Sequence, residues 1–348
     1  MSYFKQPGLS SGKIGTFRNG GNPCGDLVLE QERLEAAGLF WTYAMEMGNI
    51  MEAIAQDDAT GSKIFESMFF VTELKSLGFG DGSKAAAVVH GTKHSPRGGG
   101  WNGLDNELDA YIAHMESLIV RNESTGEEHK THKDKANALA RECMANPWKI
   151  PVTQTDFKNL KELANKIMDY PLPKWWWGMD WAVGDFLEHQ KSEWQKEIYW
   201  ESCEIDPSIS DHPIIIKKKS KLDDLLVHGG VGGIIDLKWT GSFSTHMSRL
   251  RGGKWIQAMH YEESVRAKLA DKVLPMLYVV GIAGSKGEPP LVTATSMKDG
   301  KCTGRPRCFC SGCREAEYKR TCLAYHQWEQ SGRMATGRLK AREVEVWV

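Results

Sequence analysis

Residues Lys221-Leu222-Asp223-Asp224-Leu225-Leu226-Val227, His228-Gly229-Gly230-Val231-Gly232-Gly233 and Ile234-Ile235-Asp236-Leu237-Lys238 constrain this chain more than any other stretch. Two short apolar runs flank a glycine-rich break, the pattern of a β-hairpin. Side chains alternate faces along a strand, so Asp236 and Lys238 project to the same side. A hairpin symmetric about residues 230 and 231 sets Asp223 opposite Lys238 and Leu225 opposite Asp236. Asp223, Asp236 and Lys238 then share one face, and Asp224 takes the other. Two carboxylates and an ammonium on one sheet face cost free energy unless they hold a metal or one another. Carboxylates suit Mg²⁺ or Mn²⁺, and a neighbouring lysine can orient or deprotonate a bound water or stabilise charge on a phosphate. A plain hairpin with a surface ion pair is the alternative when an Asp-x-Lys triplet stands alone.

Here it does not stand alone. Nineteen residues after Lys238 comes Gln257, within Gly253-Lys254-Trp255-Ile256-Gln257-Ala258-Met259-His260-Tyr261-Glu262-Glu263, a segment with a helical pattern. Gln257 and Tyr261, four apart, share a face of that helix. A strand with Asp-x-Lys followed by a helix with Gln-x-x-x-Tyr resembles the PD-(D/E)xK nucleases. It is most similar to their RecB-like branch, which includes phage exonuclease VIII-type enzymes and CRISPR-associated RecB-like exonucleases. The resemblance covers residues 195–282 well and the remainder loosely. It implies an α/β fold: a restriction-endonuclease-like core with a mixed central sheet at 191–298. A flexible arm (1–27) and a mainly helical region (28–190) precede that core, and a Cys-rich segment (299–348) follows it. It further implies Asp223 and Asp236 as ligands of Mg²⁺ or Mn²⁺, Lys238 as the water-activating lysine, and Gln257 with Tyr261 as the orienting pair. RecB-like nucleases also carry a histidine on an N-terminal helix, for which His90 is the candidate and His94 lies near. Glu197 falls where related exonucleases place an extra acidic residue. The implied function is a metal-dependent DNA exonuclease of recombination, repair or phage DNA processing. A cytoplasmic, nucleoid-associated setting follows from it, in a bacterial or phage-infected cell, beside a recombination or annealing partner protein. A non-catalytic nucleic-acid-binding module on the same fold is the alternative, as is a sequence-specific endonuclease.

The formal net charge is −1, so DNA binding must come from a local basic groove rather than from the field of the whole molecule. Lys217, Lys218, Lys219 and Lys221 just before the Asp223 strand are the candidates for phosphate contacts; a solvated lysine edge that protects the sheet from pairing is the other reading. No charged start followed by an apolar core suggests a secretory signal. The longest apolar run, near Val273–Ala283, is too short to span a bilayer and predicts a buried strand.

Residues 1–27 are rich in Gly, Ser, Asn and Pro, the composition of an extended lead-in. Helical patterns follow at 28–56, 61–77, 104–120, 133–144 and 157–168, and further strands at 274–282 and 291–295. Four of the 13 tryptophans fall within seven residues (Trp175, Trp176, Trp177 and Trp181). Indoles stack on unpaired bases, yet three in a row cannot share one face, so at least one of Trp175–Trp177 packs inward.

Five of the eight cysteines lie within 21 residues: Cys302, Cys308, Cys310, Cys313 and Cys322. In an intracellular chain such a cluster points to thiolate–metal ligation. The resemblance implies a [4Fe–4S] cluster on Cys310, Cys313 and Cys322 with Cys24 as the distant fourth ligand. A local zinc site completed by Cys302 or Cys308 is the alternative.

Overall fold

The computed structural model describes residues 8–18, 24–36, 43–74, 107–117, 119, 121, 124–128, 134–147, 149–189, 192–204, 213–282, 291–293 and 311–333. The chain divides into two compact units. One joins Met1–Glu32 to Asp169–Val348, and the other is Arg33–Met168. The first two helices are α1 (Ser11–Arg18) and α2 (Gly25–Ala36), with the unit boundary inside α2.

The Arg33–Met168 unit is mainly helical. It contains α3 (Tyr43–Thr60), α4 (Ile64–Met68), strand β1 (Phe69–Val71), α5 (Glu107–Ser117), α6 (Asp134–Ala145), strand β2 (Ile150–Val152) and α7 (Gln154–Met168). Leu160, Leu163, Ala164 and Ile167 form the buried stripe of α7, the i, i+3, i+4, i+7 spacing of an amphipathic helix. Thr153 caps that helix, accepting from Asp156 N at 3.1 Å and donating to the Asp156 carboxylate at 2.8 Å. The helix expected over 61–77 stops at Met68. Phe69-Phe70-Val71 is instead a strand paired in parallel with Ile150-Pro151-Val152, aromatic and β-branched side chains favouring that pairing.

In the other unit, α8 (Lys174–Trp177) and α9 (Val183–Glu188) lead into β3 (Ser192–Glu204), β4 (Ile214–His228) and β5 (Val231–Thr240). Next come α10 (Phe243–Arg249), a turn kinked at Gly253 (Leu250–Lys254), α11 (Trp255–Lys268), β6 (Lys272–Val273), β7 (Leu277–Ile282), β8 (Leu291–Thr293) and α12 (Ser311–Gln330). The sheet order is β3-β4-β5-β7-β8, with β6 beside β5; β5 and β7 are parallel and the other neighbours on the main path antiparallel. This is a mixed α/β architecture, with α11 between the two parallel strands.

Two glycine pairs shape the hairpin. Gly229 (φ 57°) and Gly230 (φ 76°) form the two-residue turn closed by His228 and Val231, a conformation that favours glycine at both positions. Gly232 and Gly233 let helices approach both faces of β5. A Cβ at Gly232 would lie 2.7 Å from Val265 of α11, and one at Gly233 would lie 2.6 Å from the Trp177 ring. Trp176 and Trp177 are buried and Trp175 is 68% exposed, so two of the three consecutive indoles pack inward.

The expected boundaries change in three places. The lead-in at 1–27 is not a loose arm over its described part, because Leu9, Ile14 and Phe17 join the core formed with α11 and the sheet. Leu9 also pairs with the edge of β4, donating to Lys217 O at 2.9 Å and accepting from Lys219 N at 3.0 Å. Residues 169–190 belong with the sheet, since Trp177 and Phe186 pack under Gly233. Finally, α12 is no appended segment: Tyr318, Cys322, Leu323, Tyr325 and Trp328 enter the same core.

Candidate active site

The hairpin brings Asp223, Asp236 and Lys238 together. Lys238 Nζ lies 3.7 Å from Asp223 Oδ2 and ion-pairs with Asp236 Oδ1. The register differs from the symmetric expectation by two residues, with Asp224 opposite Ile235 and Leu225 opposite Ile234. The ladder ends at that Asp224 pair, and the same register continued one step sets Asp223 beside Asp236 rather than Lys238. An even slip keeps every side chain on its face, whereas a slip of one would have exchanged Asp223 for Asp224. Asp224 is buried on the opposite side.

Asp223 sits at a break in strand alternation. Leu222 and Leu225, three apart, both belong to the core under α11. Between them the β3–β4 ladder skips the pair that would join Gln195 to Asp223, and Gln195 has φ 54°. At this break, which inserts no extra residue in either strand, Asp223 turns to the side that Asp236 occupies.

Asp236 is fully buried, and neither carboxylate oxygen receives a hydrogen bond of good geometry. Burial pushes its carboxyl well above the usual range, Lys238 opposes that shift, and Asp223 adds to it. Burial works against the charge of Lys238, but the carboxylates of Asp236 and then Asp223 outweigh it and hold the ammonium protonated. On α11, Gln257 Nε2 donates to Tyr261 OH at 3.2 Å. Burial, with Asp223 and Asp236 behind it, raises the Tyr261 phenol, so Tyr261 keeps its proton.

The surroundings contain groups that the Asp-x-Lys and Gln-x-x-x-Tyr patterns do not include. Lys254, at the end of the kinked turn, has its pKa lowered to about 8 by burial and by Lys238, with Asp236 and Asp223 acting in the opposite sense. His246 is buried beside it, held down at about 4 by burial and then by Lys254, Lys238 and Arg249. Its ring packs edge-on to Tyr278 at 5.7 Å, and Tyr278 OH donates to Lys254 O at 3.1 Å. A signal for Lys254 was present in the sequence: Lys254, Gln257 and Tyr261 are spaced three and four apart, one helix face.

Other expected residues lie elsewhere. Glu197 is paired with Lys221 across β3–β4 and accepts from Tyr199 OH at 3.0 Å. No group of three or more His, Cys, Asp or Glu side chains gathers as a metal site among the described residues. Glu197 therefore does not complete a triad with Asp223 and Asp236. Of the lysine run, Lys217 is exposed and Lys221 half-buried. Lys219 is buried, its side chain close beneath Gly8. Lys218 is the departure from a phosphate-binding edge. Its side chain is fully buried, bonded to Glu204 at 3.3 Å and to both Glu263 oxygens at 3.0 and 2.9 Å, with Nζ 4.9 Å from the centre of the Tyr318 ring. Its ammonium is committed to those two carboxylates.

His90, Cys302, Cys308 and Cys310 lie outside the described residues. Cys313 and Cys322 stand on one continuous helix, nine residues and so about 13.5 Å apart along its axis. That separation keeps both thiolates from ligating one ion. Cys322 is a core residue, its thiol pushed up to about 12 by burial, and Cys24 is buried at the start of α2. The trio Cys310, Cys313 and Cys322 is therefore not supported as one ligand set. No helix among the described residues is long and apolar enough to cross a membrane. No protein-family model and no curated protein matches this chain, so the reading of the site rests on its own residues and their geometry.

Proposed function

We propose that this chain is a metal-dependent deoxyribonuclease, an exonuclease of the PD-(D/E)xK type that hydrolyses phosphodiester bonds. One observation carries the reading: a fully buried Asp236 carboxylate, ion-paired with Lys238 and crowded by the second carboxylate of Asp223 on one sheet face. A buried carboxylate in that condition costs several kcal/mol, and two of them side by side cost more. Proteins retain such an arrangement where a function uses it. The residues fit a divalent cation, because Mg²⁺ is commonly bound by one or two carboxylates, with water and substrate phosphate supplying the rest. Asp223 and Asp236 would hold it.

When bound, the cation supplies Lewis acidity at phosphorus and a water acidic enough to lose its proton near neutral pH. The chain's own groups do the remainder. Lys238, held protonated between two carboxylates, acts as a donor and fixed positive charge for a phosphate oxygen rather than as a base. Tyr261, also protonated, presents a hydroxyl oriented by Gln257. Both donors are in place before substrate arrives, which lowers the cost of reorganisation in the transition state.

End-labelled linear DNA and closed circular DNA, each incubated with and without Mg²⁺ or Mn²⁺, test the proposal. The expected result is progressive release of label from the linear form with metal alone, the closed circle surviving. Cleavage of the closed circle would replace exonuclease by endonuclease, and no metal-dependent cleavage of either would refute the assignment.

A further inference from the structure

We infer that Lys254, supported by Arg249, forms a phosphate-binding subsite beside the Asp223–Asp236 pair that grips the DNA backbone independently of the metal. This deepens the nuclease reading and rests on it. Lys254, the helical residue that precedes α11, continues the face of Gln257 and Tyr261 one turn earlier. Its ammonium stands within electrostatic reach of Asp223, Asp236 and Lys238, and Arg249 lies near enough to repel it. His246, buried next to them, stays uncharged near neutral pH and adds nothing to that positive field.

The charge count favours an anion there. Lys238 offsets one of the two carboxylates, and a divalent cation offsets the other with one positive charge to spare. Half-buried Lys254 and exposed Arg249 then bring two further positive charges, and neither is ion-paired among the described residues. A phosphodiester is the anion that a nuclease site must accept, and a partly desolvated lysine binds one as a compact point charge.

The turn carrying Lys254 has contacts on both sides, the kind of support a binding subsite needs. Gly253 (φ 147°) takes a conformation that strains any side chain, and a Cβ there would lie 3.4 Å from the Arg18 guanidinium. Arg18 in turn lies 5.4 Å above the Trp255 ring and bonds Glu317 of α12 at 2.5 Å. From the other side, Tyr278 OH holds the Lys254 carbonyl. The kink at Gly253, where two helices meet, thus sets the lysine on the side of the carboxylate pair.

Metal-free protein in EDTA, titrated against a fluorescently labelled DNA duplex over a range of salt concentrations, tests the subsite apart from catalysis. Lys254→Ala should weaken binding about tenfold at low salt and lower the slope of log K against log salt by about 1, as expected for one lost phosphate contact. Lys254→Arg should restore most of both, and Mn²⁺ binding measured by calorimetry should persist in each variant. Far-ultraviolet circular dichroism checks that the variants fold. Wild-type affinity and slope in a folded Lys254→Ala protein that still binds Mn²⁺ would overturn this inference and leave the nuclease reading standing. Failure of the wild type to bind either DNA or Mn²⁺ would overturn both.

Discussion

Lys218→Met removes the ammonium at the centre of a buried cluster and keeps most of its apolar stem. In the native protein that ammonium satisfies Glu204, whose side chain is 7% exposed, and Glu263, which is 24% exposed. After the change Glu263 still accepts from Tyr318 OH at 2.6 Å and reaches some water, whereas Glu204 is left nearly dry and facing another carboxylate. Breaking one side of a buried pair costs about 3–5 kcal/mol, and the residual solvation of Glu263 places this case near the lower end, at about 3 kcal/mol. For a unit of about 200 residues, 1 kcal/mol moves the midpoint by roughly 2–4 °C, so a fall of about 6–12 °C is expected. Calorimetry and urea unfolding at pH 7 measure it. Adding Glu204→Gln should recover much of the loss, because the stranded charge disappears with it. High salt should leave the difference nearly intact, since buried pairs are weakly screened. A midpoint within 2 °C of wild type, or a double variant less stable than the single one, would refute the argument.

Ile14→Ala and Phe17→Ala remove core side chains that are 0% and 4% exposed, and should cost about 2–5 and 3–5 kcal/mol in urea unfolding; a loose N-terminal arm would show neither loss. His260, fully buried between the Lys219 carbonyl and Tyr318 OH, is held at about 4, chiefly by burial. Its folded pKa lies below the unfolded value near 6.5, so its stabilising contribution is complete above pH 6.5 and falls as the pH drops towards 4. The slope reaches about 1.4 kcal/mol per pH unit. The Asp236 carboxyl, raised in the folded state, acts with the opposite sign, so the slope is best read in an Asp236→Asn background, where His260→Asn should flatten it. Cys322→Ala should lower thermal stability through lost core packing while leaving any bound iron or zinc unchanged by elemental analysis; a loss of metal would restore Cys322 to a ligand set.

The hairpin and the face of its acidic residues were legible in the sequence, because alternation and a glycine pair are local signals. The register was not. Four glycines surround Val231, and both 229–230 and 230–231 could have made the turn; only an even slip left the Asp223 assignment intact. Lys218 was misread because its partners Glu204 and Glu263 lie 14 and 45 residues away, and a run of lysines carries no sign of where its partners come from. The Gly- and Ser-rich opening concealed Ile14 and Phe17, three apart and both core residues of α1. In α12 the cysteines drew attention from Tyr318, Cys322 and Tyr325, whose spacing of four and three is that of a buried helix stripe. Lys254 shared its helix face with Gln257 and Tyr261, a pattern visible without coordinates.

The most direct test of the active-site assignment compares Asp223→Asn with Asp224→Asn in single-turnover cleavage of end-labelled linear DNA with Mn²⁺. The two residues are adjacent, carry the same charge and undergo the same isosteric change; they differ in the sheet face they occupy. With Asp223 beside Asp236 and Lys238, its variant should lose on the order of 10²-fold or more in rate. Asp224→Asn should cleave within a few-fold of wild type after correction for its folded fraction. The reverse pattern, or equal rates in both variants, would contradict the site described above.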